Sequence, residues 1–178
     1  MATTFFNVNE FKNTLNDGGI RPNQFSVQLT FPAFVTNAQQ VVRKAPFLIS
    51  VAELPGSTVN PAIVFYRGRE VKFAGDRIFP PWTITILNDG DMSIRRAMEQ
   101  WLNGVDDLQF KRGVLPPASY QCQLEVRQLD RNGLQRKLYI LQGAFPIDVS
   151  PIGLDFGAND TISTFSVTWQ YQDYITDF

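Results

Sequence analysis

Polar and apolar residues alternate most cleanly over 24–31, where Phe25, Val27, Leu29 and Phe31 interleave with Ser26, Gln28 and Thr30. A period of two predicts a strand with one buried and one wet face. The signature returns at 120–127, with Tyr120, Cys122, Leu124 and Val126 against Gln121, Gln123, Glu125 and Arg127. It returns again at 161–171, with Phe165, Val167, Trp169 and Tyr171 against Ser166, Thr168 and Gln170. Apolar runs predict further strands at 47–54, 63–73 and 82–87. Within 63–73, Arg67-Gly68-Arg69 predicts a bend or bulge, because glycine weakens a strand interior. Ala74-Gly75-Asp76 reads as a break. Asp130-Arg131-Asn132-Gly133 carries the Asn-Gly hairpin signal. Its return strand is expected over 135–144, with Pro146 interrupting any extension to Ser150.

One segment departs from that period. Ile94, Ala97, Met98, Trp101, Leu102 and Val105 recur at three- and four-residue intervals, with Arg95, Arg96, Glu99, Gln100 and Asn103 on the other face. This predicts an amphipathic helix at about 93–104 that lays one stripe on the core. A shorter helix is expected within 5–17, capped by Asn9 and carrying Phe11 and Leu15 on one face. Residues 32–46 read as a polar, turn-like loop. The fold expected is mainly β, a β-sandwich or barrel with one packed α-helix. It forms one domain over 1–178: an N-terminal arm at 1–20, a β core at 21–171, and a polar-aromatic tail at 172–178.

Composition narrows the chemistry. The chain has 178 residues, 44% of them hydrophobic, enough to bury a core without staples. Sixteen Lys and Arg against seventeen Asp and Glu leave a net charge of −1, so no global positive field recruits nucleic acid or anionic lipid. There is no histidine, which removes His-based nucleophilic catalysis and zinc ligation. A lone Cys122 on the apolar side of a strand reads as a structural thiol. No signal peptide and no membrane-spanning run are expected. Phosphate-binding glycine motifs are absent, and no cofactor or metal is expected. The carboxylate pair Asp89/Asp91 falls at a helix start, where capping is the simplest role for an anion.

The densest basic cluster is Arg67, Arg69, Lys72 and Arg77, interleaved with Phe65, Tyr66 and Phe73 and with the acids Glu70 and Asp76. Mixed signs in an acidic chain favour pairing across a protein interface over a nucleic-acid face.

Three stretches together carry a resemblance. They are residues 53–56 (Glu-Leu-Pro-Gly), 65–77, and 82–89, with Ala-Gly-Asp-Arg-Ile-Phe-Pro-Pro-Trp-Thr-Ile-Thr at 74–85 as the most specific part. A Trp-bearing helix, a hairpin and the 160–168 stretch follow in order, and Arg21-Pro22-Asn23-Gln24-Phe25 precedes them. Over roughly 20–172 the chain resembles the tail tube proteins of contractile-tailed bacteriophages, relatives of type VI secretion tubes.

The resemblance implies a non-enzymatic structural subunit of the virion tail, assembled in the host cytoplasm. Its strands would complete a large barrel in a hexameric ring, and stacked rings would form a tube whose lumen passes DNA during genome ejection. Implied partners are further copies, the tail sheath protein, the baseplate tube initiator, the tape measure protein and the tail terminator. For contacts between subunits or rings the candidates are Phe5, Phe6, Phe11, Arg67, Arg69, Glu70, Asp76, Arg77, Tyr174 and Phe178. The candidates for the lumen face are Gln121, Gln123 and Glu125. The alternatives are a tube protein of a non-viral contractile injection system, a monomeric β-barrel that binds a small apolar ligand, and an enzyme working with carboxylates alone.

Overall fold

The computed structural model describes residues 7–15, 18–106 and 116–177. Its strands are β1 (Phe25–Gln28), β2 (Ile49–Ala52), β3 (Thr58–Tyr66), β4 (Arg69–Ile78), β5 (Trp82–Leu87), β6 (Cys122–Leu129), β7 (Gln135–Val149), β8 (Thr164–Gln170) and β9 (Asp173–Thr176). Its helices are α1 (Val8–Thr14), α2 (Ala38–Leu48), α3 (Ser93–Val105) and α4 (Pro117–Tyr120).

The strands where polar and apolar residues alternate behave as their sequence requires. In β5, Trp82, Ile84 and Ile86 point inward, and in β8 so do Phe165, Val167 and Trp169. The two strands pair in register, Trp82 opposite Trp169 and Ile86 opposite Phe165. On the wet face of the same pair, Thr83 Oγ1 lies 3.2 Å from Thr168 Oγ1, and Thr85 Oγ1 lies 3.3 Å from Ser166 Oγ. The hairpin at 130–134 also forms. The Asp130 carboxylate accepts from the amides of Asn132 and Leu134 at 2.8 and 2.9 Å, and Gly133 adopts φ 77°.

β7 organises the architecture. Its first half pairs antiparallel with β6 and β9, and its second half with β8. It thus belongs to two four-stranded layers, β1-β6-β7-β9 and β2-β5-β8-β7. Pro146 does not interrupt it; the strand absorbs the missing donor through a register shift between Pro146 and Asp148. The layers do not close on themselves, because β1 and β2 end the pairing order. Their inner faces, with α2 and α3, enclose one core that includes three fully buried tryptophans or nearly so, Trp82, Trp101 and Trp169. The Trp101 and Trp169 rings meet edge to face at 5.1 Å, and Phe31 lies 5.4 Å from Trp101.

Other expectations also need correction. Residues 32–46 are not all loop: α2 occupies 38–48, with Val41 and Ala45 buried one turn apart. Ala38, Val41, Val42, Ala45 and Leu48 form a helical stripe, and Pro46 sits in the last turn, two residues before the helix ends. The core therefore carries two packed helices rather than one. The N-terminal helix is capped by Asn7, whose side chain accepts from the Asn9 amide at 3.0 Å, and none of its residues is buried. The 63–73 run is the tip of a longer hairpin, β3–β4, and β4 continues through Ala74-Gly75-Asp76. The tail is partly a strand, since β9 pairs with β7 from Asp173 to Thr176.

Candidate assembly surface

The β3–β4 hairpin stands apart from both layers as a two-stranded sheet of its own. Arg67 (φ 48°) and Gly68 (φ 79°) form its two-residue turn, the left-handed pair that suits strand twist. At its base, pairing shifts between Val59 and Pro61, leaving Gly75 and Asp76 opposite Asn60. A Cβ on Gly75 would sit 2.6 Å from the Asn60 carbonyl oxygen, so only glycine allows this close approach. The sequence break at 74–76 is this bulge.

Cross-strand partners share a face. Ala62 opposes Phe73, Val64 opposes Val71, and Tyr66 opposes Arg69, which makes one face apolar with an arginine near the tip. Ile63 opposes Lys72 and Phe65 opposes Glu70, which makes the other face mixed. Nearly every residue of the hairpin is exposed, including Phe65, Tyr66, Val64 and Phe73. A lone two-stranded hairpin is marginal in water, and apolar side chains bared on both faces call for a cover. Arg67 lies over the Tyr66 ring at 5.4 Å. Among the described residues, Arg67, Arg69, Glu70, Lys72, Asp76 and Arg77 enter no salt bridge. The hairpin thus gathers five of the predicted contact residues, Arg67, Arg69, Glu70, Asp76 and Arg77, on one exposed projection.

The other predicted residues separate. Phe11 projects from α1 and is exposed. Tyr174 is engaged within its own chain: its ring meets Phe79 and Tyr139 at 5.4 Å each, and its hydroxyl lies 3.2 Å from Ser57 Oγ. Phe5, Phe6 and Phe178 lie outside the described residues. Gln123 and Glu125 occupy the outer face of β6, opposite buried Leu124 and Val126, and Glu125 pairs with Arg127. Gln121 precedes β6, half-buried. Cys122 is half-buried, and burial pushes its thiol up to about 11, which makes it a poor nucleophile.

Asp89 and Asp91 cap, as their position at a helix start suggests. Both accept from the Ser93 amide, at 3.1 and 3.2 Å, and Lys44 Nζ from α2 reaches them at 2.8 and 2.9 Å. Hydrogen bonding with Asp89, then with Lys44, holds the Asp91 carboxyl well below its usual range. The sequence offered no sign of Lys44, because its partner lies 45 residues away.

Two more features complete the surface. β1 and β2 each have a strand neighbour on one side only, and the groove between them, about 580 Å³, is lined by Pro22, Phe25 and Ile49 to Ala52. The 151–163 connection between β7 and β8 presents Leu154, 92% exposed, with Phe156 and Ile162 also bare. Alternation did not mark Leu154 or Phe156, since loops carry no period, and Ile162, expected within a strand over 161–171, lies before β8, which starts at Thr164.

A family model described as phage tail tube protein matches residues 20–177. The chain is 29% identical over 172 residues to the tail tube protein of Serratia phage KSP90, covering 96% of this chain and 97% of that one. It is 28% identical over 149 residues to tail tube protein gp19 of Enterobacteria phage T4, covering 83% of this chain and 86% of the relative. In fold it is similar to a chain of the sheath–tube complex of an extracellular contractile injection system in its extended state. There the TM-score is 0.59 at 14% identity, over 99% of each chain.

Proposed function

The chain belongs to the phage tail tube protein family, and on that premise we infer that it is a structural subunit of a phage tail, polymerising into the tail tube and performing no catalysis. The observation that carries the mechanism is the bare β3–β4 hairpin beside two sheets with open edges. Open edges and exposed apolar strands are association hazards in a monomer. In a ring they become the joints. Six copies meet side by side, β1 and β2 edges find strand partners, and the sheets of all copies continue into one barrel. Each hairpin reaches over a neighbouring copy and buries its apolar face there. Such a contact is heterologous, so it closes into rings and repeats along an axis as the rings stack.

The outer polar face of the sheets suits a lumen. Gln123 and Glu125, with Gln121 at the start of the strand, present amides and a carboxylate on the outer face of β6. With few cations to hold phosphates, DNA slides past rather than binding. The sheath surrounds the tube. The further partners expected are the baseplate tube initiator, the tape measure protein and the tail terminator. A tube of phage origin is favoured over a non-viral injection system by the phage relatives at 28–29% identity.

Charge reversal tests this. Arg67→Glu and Arg77→Glu, combined in one chain, leave the folded core untouched, since both residues are exposed. Electron microscopy of the purified protein, supplied with baseplates as nuclei, is expected to find hollow rods of uniform bore for the natural chain and none for the variant. Rods of normal number and bore from the variant would contradict the role given to the hairpin.

A further inference from the structure

We propose that the 151–163 loop of one copy docks on the β3–β4 hairpin of the next, its carboxylates pairing with the hairpin's basic tip. This rests on the tube reading above and names the partner of the hairpin within it.

The argument starts from two exposed apolar surfaces of opposite charge on the same chain. The hairpin over 58–78 carries Arg67, Arg69, Lys72 and Arg77 against Glu70 and Asp76. The loop carries Asp155 and Asp160 and no basic residue. Each surface has apolar groups that its own chain leaves bare: Val64, Val71 and Phe73 on one hairpin face, and Leu154, Phe156 and Ile162 on the loop. The loop is a formed structure rather than a slack connection. Asp155 Oδ1 accepts from the Gly157 amide at 2.9 Å, Ala158 N donates to the Asp155 carbonyl at 3.2 Å, and Asp160 holds φ 62°. That turn fixes Leu154 and Phe156 on either side of Asp155.

Among the described residues no hydrogen bond or salt bridge joins the loop to its own hairpin, which leaves both surfaces open to a second copy. Leu154 and Phe156 lie against Val64, Val71 and Phe73, and Asp155 and Asp160 approach Arg67 and Arg69. Apolar anchors surrounded by complementary charge are the arrangement that gives an interface both affinity and register. Docking uses the loop of one copy and the hairpin of another. The first copy then still offers its hairpin and the second its loop, which suits a repeating assembly.

A charge swap in the full-length chain tests it. Asp155→Arg with Asp160→Arg is expected to lower the sedimentable, rod-forming fraction roughly tenfold. Melting temperature and far-UV circular dichroism should stay close to those of the natural chain, because the loop lies outside the core; the lost Asp155–Gly157 hydrogen bond is common to the loop-reversed and four-fold variants, so recovery in the latter reads the charge pairing alone. Adding Arg67→Asp and Arg69→Asp to the same chain is expected to restore assembly. Loop-reversed protein that assembles as well as the natural chain overturns the docking, as does a four-fold variant no better than the loop-reversed one. Either result leaves the tube reading standing if the natural chain forms rods; failure of the natural chain to form rods with baseplates present strikes the tube reading itself.

Discussion

Lys44 Nζ lies 2.8 Å from Asp89 Oδ2, joining α2 to the turn that starts α3. The same carboxylate receives the Ser93 amide and hydroxyl, so one anion caps a helix and anchors another. Removing the anion is therefore worse than removing the cation. Asp89→Ala should cost about 1 kcal/mol through the lost cap alone, and Lys44→Met less, since its ammonium is largely solvated. Thermal unfolding followed by circular dichroism checks the order; a larger effect from Lys44→Met would contradict it.

Hydrogen bonds to Asp89 and Asp91 raise the Lys44 pKa above 10.5, and those to Asp89 and Lys44 lower that of Asp91 below 3.8. The Lys44 contribution is whole below the unfolded value and fades as pH rises through the raised one. The Asp91 contribution is whole above its unfolded value and fades as pH falls through the lowered one. The difference in melting temperature between natural chain and Lys44→Met should thus hold level between about pH 5 and 9 and shrink outside it. A difference that varies steadily across that window would sink this assignment.

α2 also marks what the sequence concealed. The stripe of Ala38, Val41, Val42, Ala45 and Leu48 was present, but the β-branched pair Val41-Val42 and Pro46 inside the segment weigh against helix by propensity. Burial of Val41 and Ala45 against the rest of the core overrides it. By contrast β5 and α3 were legible almost to the residue, because the apolar run at 82–87 and the helical stripe at 94–105 each encode a buried face directly. The bulge at Gly75 read as a break since only pairing with Asn60 distinguishes the two. β9 was hidden in a polar tail because its partner, β7, lies more than 30 residues upstream.

The edge-to-face pair of Trp101 and Trp169 holds α3 on the β8 layer. Trp101 also donates to the Tyr120 carbonyl at 2.8 Å. Trp101→Ala should destabilise the subunit by about 3–5 kcal/mol. Trp101→Phe keeps much of the packing and should cost about 1–3 kcal/mol for the orphaned carbonyl. Urea unfolding of both variants checks the ranking, and equal losses would contradict the separate value of the hydrogen bond.

Gly75 separates folding from assembly. Gly75→Val drives a side chain into the Asn60 carbonyl at the hairpin base. The core lies elsewhere, so the melting temperature should barely move while rod formation fails. Loss of the folded core in this variant would show that the hairpin supports the subunit as well.

Acid should loosen the β6–β7 turn and the end of β9. Amide donors at Leu134 and Asn132 hold the Asp130 carboxyl below 3.8, and the Leu138 amide, then Lys137, does the same for Asp177. Their stabilisation is present above pH 4 and is lost as pH falls through the lowered values. Melting temperatures from pH 7 to 3 should fall less steeply for Asp130→Asn and Asp177→Asn than for the natural chain. Parallel curves would contradict this.

A cryo-EM map of the assembled protein at side-chain resolution tests the central claim most directly. The account predicts rings in which the β1 and β2 edges of adjacent copies gain strand partners and every 58–78 hairpin lies buried on a neighbour. A tube whose hairpins stand free in solvent, with copies touching through other surfaces, would contradict it.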